Sequence, residues 1–330
     1  MFHLPRPSRA AATLLALASA AGCGSSSTEP GIGTGQATTH PAGAIASTLT
    51  LLGRPHGVAI ASTGRFCVSQ IDAASISCGT ITASDATVQS SIAVGNQPAH
   101  VALSADGNTA YTANQGGSSL SIVNVATATA TATIPLPSQG FNVVTDPGSS
   151  RMYVTTSSGM LQIVDADTRT IVAQTSVGAA SNGLALDRTA GRLYVSSISA
   201  GTVVAVNTNT NAVVRTYAVS AMPQRIALSA DGRKLYVANE SNGLDILDVT
   251  SGERNVVPGV DPQAVGVALS PDGKVVYVTN PPRGKVQIVD VATLNVTTLA
   301  GLASPRNVAF GLSGAAAIVT GEGNTLYIIR

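Results

Sequence analysis

The sequence predicts an all-β fold, a seven-bladed β-propeller of four-stranded antiparallel blades, on three observations. First, a motif recurs: residues 270–280 read SPDGKVVYVTN, with weaker copies at 104–114, 146–156, 187–197 and 229–239. Its hydrophobic position falls at Val68, Tyr111, Tyr153, Tyr194, Tyr236, Tyr277 and Ile318, with gaps of 43, 42, 41, 42, 41 and 41 residues. A fixed period of this size marks a propeller or solenoid. Second, each period divides into short alternating runs rich in β-branched residues and separated by Gly, Asn, Asp and Pro. Third, the apolar content of 44% comes with only 3% aromatics and no Trp. Val, Ile and Ala supply the hydrophobicity, and Val and Ile favour strands.

The N-terminus is a targeting device. Arg6 and Arg9 precede a short apolar run, residues 10–21. That run is too short to span a bilayer, which takes about 20 residues, and it reads as a secretory signal over residues 1–22. It ends Ala20-Ala21-Gly22-Cys23, which resembles the bacterial lipobox, with Ala20 where Leu is usual. The resemblance implies lipidation of Cys23, and Gly24 after it implies the outer membrane. Residues 23–44 are mostly Gly, Ser, Thr and Pro; they bury no core and read as a tether. The expected locale is the cell envelope.

The propeller is expected over residues 45–330. Units start near Pro55, Pro98, Gly140, Ser181, Pro223, Ala264 and Pro305. The last lacks a fourth strand, and residues 46–52 (ASTLTLL) supply one from the other end of the chain. Closing the ring this way protects the sheet edges. Cys67 and Cys78 flank the loop 71–74, and symmetric pairing about it brings them opposite each other. Export makes a disulfide chemically allowed; two buried thiols are the alternative.

The Tyr277–Asn280 YVTN, the preceding SPDGK and the repeat length resemble the YVTN family of β-propellers across nearly the whole mature chain. The resemblance implies this fold and an exported binding or cell-surface protein. Its motif residues make turns and core rather than chemistry. Related seven-bladed folds include lactonases and haem- or quinone-containing oxidoreductases, so the fold leaves function open.

Ligand sites in propellers usually sit over the axis, on the face opposite the Asp-Gly turns. Residues at the start of each inner strand ring that mouth. One ring reads Gly57, His100, Asn142, Gly183, Arg225, Gly266 and Asn307; the residues before them are His56, Ala99, Phe141, Asn182, Gln224, Val265 and Arg306. The second set of loops on that face adds Asp72, Glu240, Arg283, Lys285 and Glu322. Where a structural repeat would repeat itself, these imidazoles, guanidiniums and amides do not. His56, His100, Asn142, Asn182, Arg225, Arg306, Asn307 and Glu240 are the candidate ligand-binding residues for a small polar or anionic group. Polar residues at a solvated mouth are the plain structural alternative.

The net charge of +1 gives no electrostatic case for nucleic acid. Haem-attachment, zincin and nucleophile-elbow motifs are absent. Asp165 and Asp167 suggest half a calcium loop, but the Gly is missing and a turn is the better reading. No cofactor or metal is expected. The leading expectation is a lipid-anchored, monomeric binding module for an envelope protein, a peptide or a small ligand, touching the membrane only through its anchor. A lactonase-like hydrolase or lyase, using His100 with Arg225 or Glu240, is the alternative; a structural surface protein is the next.

Overall fold

The computed structural model describes residues 40–311 and 314–330. The signal segment, Cys23 and most of the tether lie outside them. The described residues form seven four-stranded antiparallel sheets. Within each blade the strands run a to d from the axis outward. Strand a is Pro55–Ile60, Pro98–Leu103, Gly140–Thr145, Ser181–Asp187, Pro223–Leu228, Val267–Leu269 and Pro305–Phe310 in blades 1 to 7. In blade 6 it begins later than the repeat predicts, although Val265 and Gly266 still exchange backbone hydrogen bonds with Thr279. Among the described residues no helix is long and apolar enough to cross a membrane.

Blade 7 closes the ring. Its order is Pro305–Phe310, Ala317–Gly321, Thr325–Ile329 and, outermost, Ile45–Thr50 from the other end of the chain. The register runs from Ile45 opposite Ile329 to Thr50 opposite Thr325. Leu51, Leu326, Ile328, Phe66 and Val68 then share one core cluster that joins blades 7 and 1. Each remaining interface between neighbouring blades holds a cluster of its own. The wall is therefore a ring of small cores, built from Val, Ile, Leu and Ala side chains with strand-b tyrosines and Phe66 among them. Residues 40–44, the last of the expected tether, lie against blade 6: Tyr277 donates to the Pro41 carbonyl at 3.2 Å, and His40 Nδ1 sits 2.9 Å from Asp272.

The periodic Tyr is the middle of strand b. It stands opposite strand a, as in Tyr111–Ala102, Tyr194–Ala185 and Tyr277–Ala268. In blade 1 the residue in that place is Cys67, opposite Ala59, and not Val68. Alignment by hydrophobicity slips there by one residue. Cys67 lies opposite Cys78, and a disulfide joins them.

The a–b turns gather at the lower end of the axis, and those of blades 2, 5 and 6 share one construction. Ser270 donates to Asp272 at 2.6 Å, the Lys274 N–H reaches Asp272 at 3.1 Å, and the Val275 N–H reaches the Ser270 hydroxyl at 3.0 Å. Ser104–Asp106 and Ser229–Asp231 repeat the pattern. Gly273 has φ of 71°, which is why glycine follows the Asp. Asp165 caps the N–H groups of Asp167 and Thr168 in a c–d turn, an Asx turn rather than a cation loop.

Candidate functional site at the upper end of the axis

Apart from Glu240, which follows strand b of blade 5, the candidate residues occupy the first residues of strand a, where neighbouring inner strands nearly touch. A Cβ on Gly183 would lie 2.6 Å from the Gln224 carbonyl, and one on Gly266 would lie 2.3 Å from that of Arg306. Glycine fits this position at Gly57, Gly183 and Gly266, and His100, Asn142, Arg225 and Asn307 are departures that need accommodation.

Hydrogen bonds stitch the blades together at this level. The Gly183 N–H donates to Ser196 Oγ at 2.7 Å, and that hydroxyl donates onward to the Gln224 carbonyl of the next blade at 2.6 Å. Gly266 and Thr279 do the same toward Arg306 (2.8 and 2.7 Å). Asn307 and Thr320 do it across the ring closure toward His56 (3.0 and 2.9 Å). Elsewhere the stitch has other makers. Asn142 Nδ2 donates to the Asn182 carbonyl at 2.8 Å, Asn307 Nδ2 to the His56 carbonyl at 2.7 Å, and His56 Nδ1 to the Ala99 carbonyl at 2.6 Å.

The hydroxyl comes from strand b and is Ser196, Thr279 or Thr320 where the stitch is made; Ser69 accepts from Gly57 of its own blade, and Thr155 Oγ1 in the same place has no partner. In blades 2 and 5 that place is taken by Ala113 and Ala238. These are the two blades that carry His100 and Arg225, and His100 lies opposite Ala113 in register. Without a hydroxyl to meet, the Arg225 N–H bonds the Val265 carbonyl at 3.2 Å instead. Two departures from the repeat thus coincide in the same two blades. Single-residue inspection misses the alanines; comparing strands a and b thirteen residues apart reveals them.

The candidates sort by what already holds them. Asn142 and Asn307 are buried stitches rather than groups facing solvent. Asn182 Nδ2 donates to Gln224 Oε1 at 2.8 Å, and Gln224 Nε2 donates to Glu240, forming a relay along the rim. Arg306 Nε donates to Glu322 at 2.9 Å, with Arg54 3.7 Å from the same carboxylate. Because His56 Nδ1 donates to a carbonyl, its Nε2 carries the lone pair, and it faces Arg306 Nη1 at 3.4 Å. Arg283 and Lys285 of the second loop set pair with Asp261 instead of facing the axis. Asp72 accepts from the Arg54 N–H at 2.7 Å.

What remains are two orphans. Arg225 is 7% exposed and its Nη1 has no hydrogen-bond partner; His100 Nδ1 is also buried and unpartnered. Blades 2 and 5 do not adjoin, so the two side chains reach into the axis from different parts of the ring. The field they share is positive. Burial, then the charges of Arg306 and Arg225, hold His56 down at about 3. Burial, then Arg225 and His56, hold His100 well below its ordinary value. Burial and the Arg306 charge press Arg225 down to about 9, still charged at neutral pH. Both imidazoles are therefore neutral, and Arg225 is the charge left without a counterpart. Among the described residues no carboxylate hydrogen-bonds either imidazole, and no group of three or more His, Cys, Asp or Glu side chains is placed to hold a metal.

Surface clefts lie away from the axis. One of about 390 Å³ runs under residues 40–42, lined by Val275, Ile288 and Asp290. Asp290 there is held by the Ala292 and Thr293 N–H groups of its own turn, so the cleft offers no unmet charge.

No protein-family model matches the chain, and no curated protein matches it. Among solved structures, hydrazine synthase from Kuenenia stuttgartiensis superposes with a TM-score of 0.76 at 16% identity, over 86% of this chain and 97% of that one. The chain has the fold of a seven-bladed β-propeller. At that identity the likeness concerns the fold alone.

Proposed function

We propose that this propeller, of the YVTN kind by its repeat, is a binding module of the cell envelope that takes a polar or anionic ligand at the upper end of its axis. The observation that carries the reading is Arg225, a buried guanidinium whose Nη1 has no acceptor. Burying a charge without a partner is strongly unfavourable. Folds keep such a group where a ligand supplies the partner, and perturbed titratable groups gathered together mark candidate sites. The signal-like segment and Cys23 support export and lipid anchoring. Glu240 is engaged by Gln224, so the pairing with His100 that a hydrolase reading calls for does not form.

The test is a thermal-shift screen of polar metabolites and short peptides on the full chain, with each hit mapped by hydrogen–deuterium exchange. Protection at the strand starts around residues 56, 100, 225 and 306 is the expected result. Protection confined to the lower turns or the rim clefts would refute the site. For the anchor, Cys23→Ala should move the protein from the membrane fraction to the soluble fraction; unchanged partition would refute lipidation at that residue.

A further inference from the structure

The orphaned donors also say which ligand chemistry fits. Resting on the binding-module reading above, we infer that the axis seats a single carboxylate, its two oxygens taken by Arg225 Nη1 and His100 Nδ1, two buried donors without partners.

Three counts lead to a carboxylate. The buried charge to be met is that of Arg225: Arg306 and Arg54 share Glu322, whereas Arg225 has no acid. A monoanion neutralises it. Among the candidate residues the buried donors to be met are Arg225 Nη1 and His100 Nδ1; Thr155 Oγ1, opposite Asn142 in register, is a further buried hydroxyl without a partner. Asn142 and Asn307 bond carbonyls, Asn182 and Gln224 bond each other and Glu240, and His56 Nδ1 bonds Ala99. A carboxylate offers two oxygens in one plane, suited to a guanidinium N–H and an imidazole N–H approaching from separate blades. His100 meets its share in the tautomer that carries hydrogen on Nδ1, with the Val143 carbonyl as the competing acceptor for a ring N–H. Finally, strand b carries Ala113 and Ala238 where the other five blades carry a hydroxyl, in the two blades that hold the donors.

The carboxylate can belong to a small free acid or to the C-terminus of a peptide, and the probes separate the two. Thermal unfolding of the full chain is followed in Tris chloride with acetate, N-acetylalanine, N-acetylalaninamide or inorganic phosphate. Acetate or N-acetylalanine should raise the midpoint saturably, by about 2–5 °C at a hundredfold excess over Kd. The amide should not raise it. A response to both acids indicates a free acid; a response to N-acetylalanine alone indicates a chain terminus; either supports the seat. The rise should vanish in Arg225→Gln and shrink in His100→Phe, with Arg225→Lys as a second variant that keeps the charge and loses the planar fork. An equal rise in Arg225→Gln, or a rise with the amide, overturns the inference. So does a phosphate response larger than any carboxylate response, which would leave the mouth as a site and change its ligand class. Exchange protection by unrelated ligands away from the axis would instead defeat the binding-module reading itself.

Discussion

At the lower end of the axis Asp106, Asp231 and Asp272 each accept a serine hydroxyl and a backbone N–H within a turn of a few residues. At the upper end His100 and Arg225 reach inward with donor atoms that nothing accepts. The lower carboxylates are held below their ordinary range. For Asp106 and Asp231 the serine hydroxyl is the leading cause; for Asp272, burial pushes the other way and is outweighed by Ser270 and His40. The upper imidazoles are depressed by burial and by neighbouring positive charge. One end repeats a turn whose needs are met locally. The other breaks the repeat and leaves a need unmet. The difference separates side chains that make the fold from side chains that await something.

Five measurements sharpen or break that comparison. The wall that holds the two ends apart should fail first when the ring is opened. Deleting residues 40–52 removes Ile45–Thr50 and Leu51 from blade 7. A single buried Leu lost contributes about 2–5 kcal/mol, and a whole strand goes with it. Circular-dichroism melts should show loss of the cooperative transition. An unchanged midpoint would mean that the ring does not depend on this closure.

Reducing Cys67–Cys78, a bridge of sequence separation 11 in blade 1, should destabilise by about 3 kcal/mol through the unfolded chain's entropy. Urea midpoints with and without reductant measure it. A loss confined to ligand response, with stability intact, would shift the disulfide from wall to site.

The two ends should respond to acid in separate windows. His56 has a folded value of about 3 against an ordinary 6.5, and His100 moves in the same direction. Below pH 6.5 the unfolded chain takes up protons that the folded chain refuses. Stability is therefore full above that pH and falls toward pH 3, by up to about 1.4 kcal/mol per pH unit for each imidazole. The lower carboxylates act only below their ordinary 3.8, where the unfolded chain protonates first. Urea titrations at pH 7, 6 and 5 should show the upper window, with a shallower slope in His100→Gln. A flat profile between pH 7 and 5 would contradict the neutral, buried imidazoles.

Thr320→Val removes the hydroxyl that accepts from Asn307 and donates to His56 across the closure. It should destabilise by about 1–3 kcal/mol, the range for orphaning a buried hydrogen-bonding group. An effect near zero would show that the collar is not what binds the blades at this level.

Much of this was legible in the residues. The period, the Asp-Gly turns and the closing strand are local patterns with one physical reading each, and the sheets follow them. Blade 1 misled because Cys67 stands where other blades carry a large hydrophobe, so alignment by hydrophobicity selected Val68. The mouth ring was legible as a set of positions but not as a set of roles. Whether an amide at such a position faces solvent or a neighbour's carbonyl depends on how closely two blades approach. That distance is tertiary, and it turned Asn142 and Asn307 into stitches. Glu322 is read from sequence only as a loop acid; its place beside Arg306 is what leaves Arg225 as the uncompensated charge.

The most direct test of the central claim is the stability of Arg225→Met in Tris chloride, without carboxylate, by urea denaturation. If Arg225 serves a ligand, exchanging an unpaired buried guanidinium for a thioether should leave the protein more stable than wild type, by about 1–3 kcal/mol. If Arg225 is part of what holds the blades together, the variant will be less stable, and the account of the upper end is wrong.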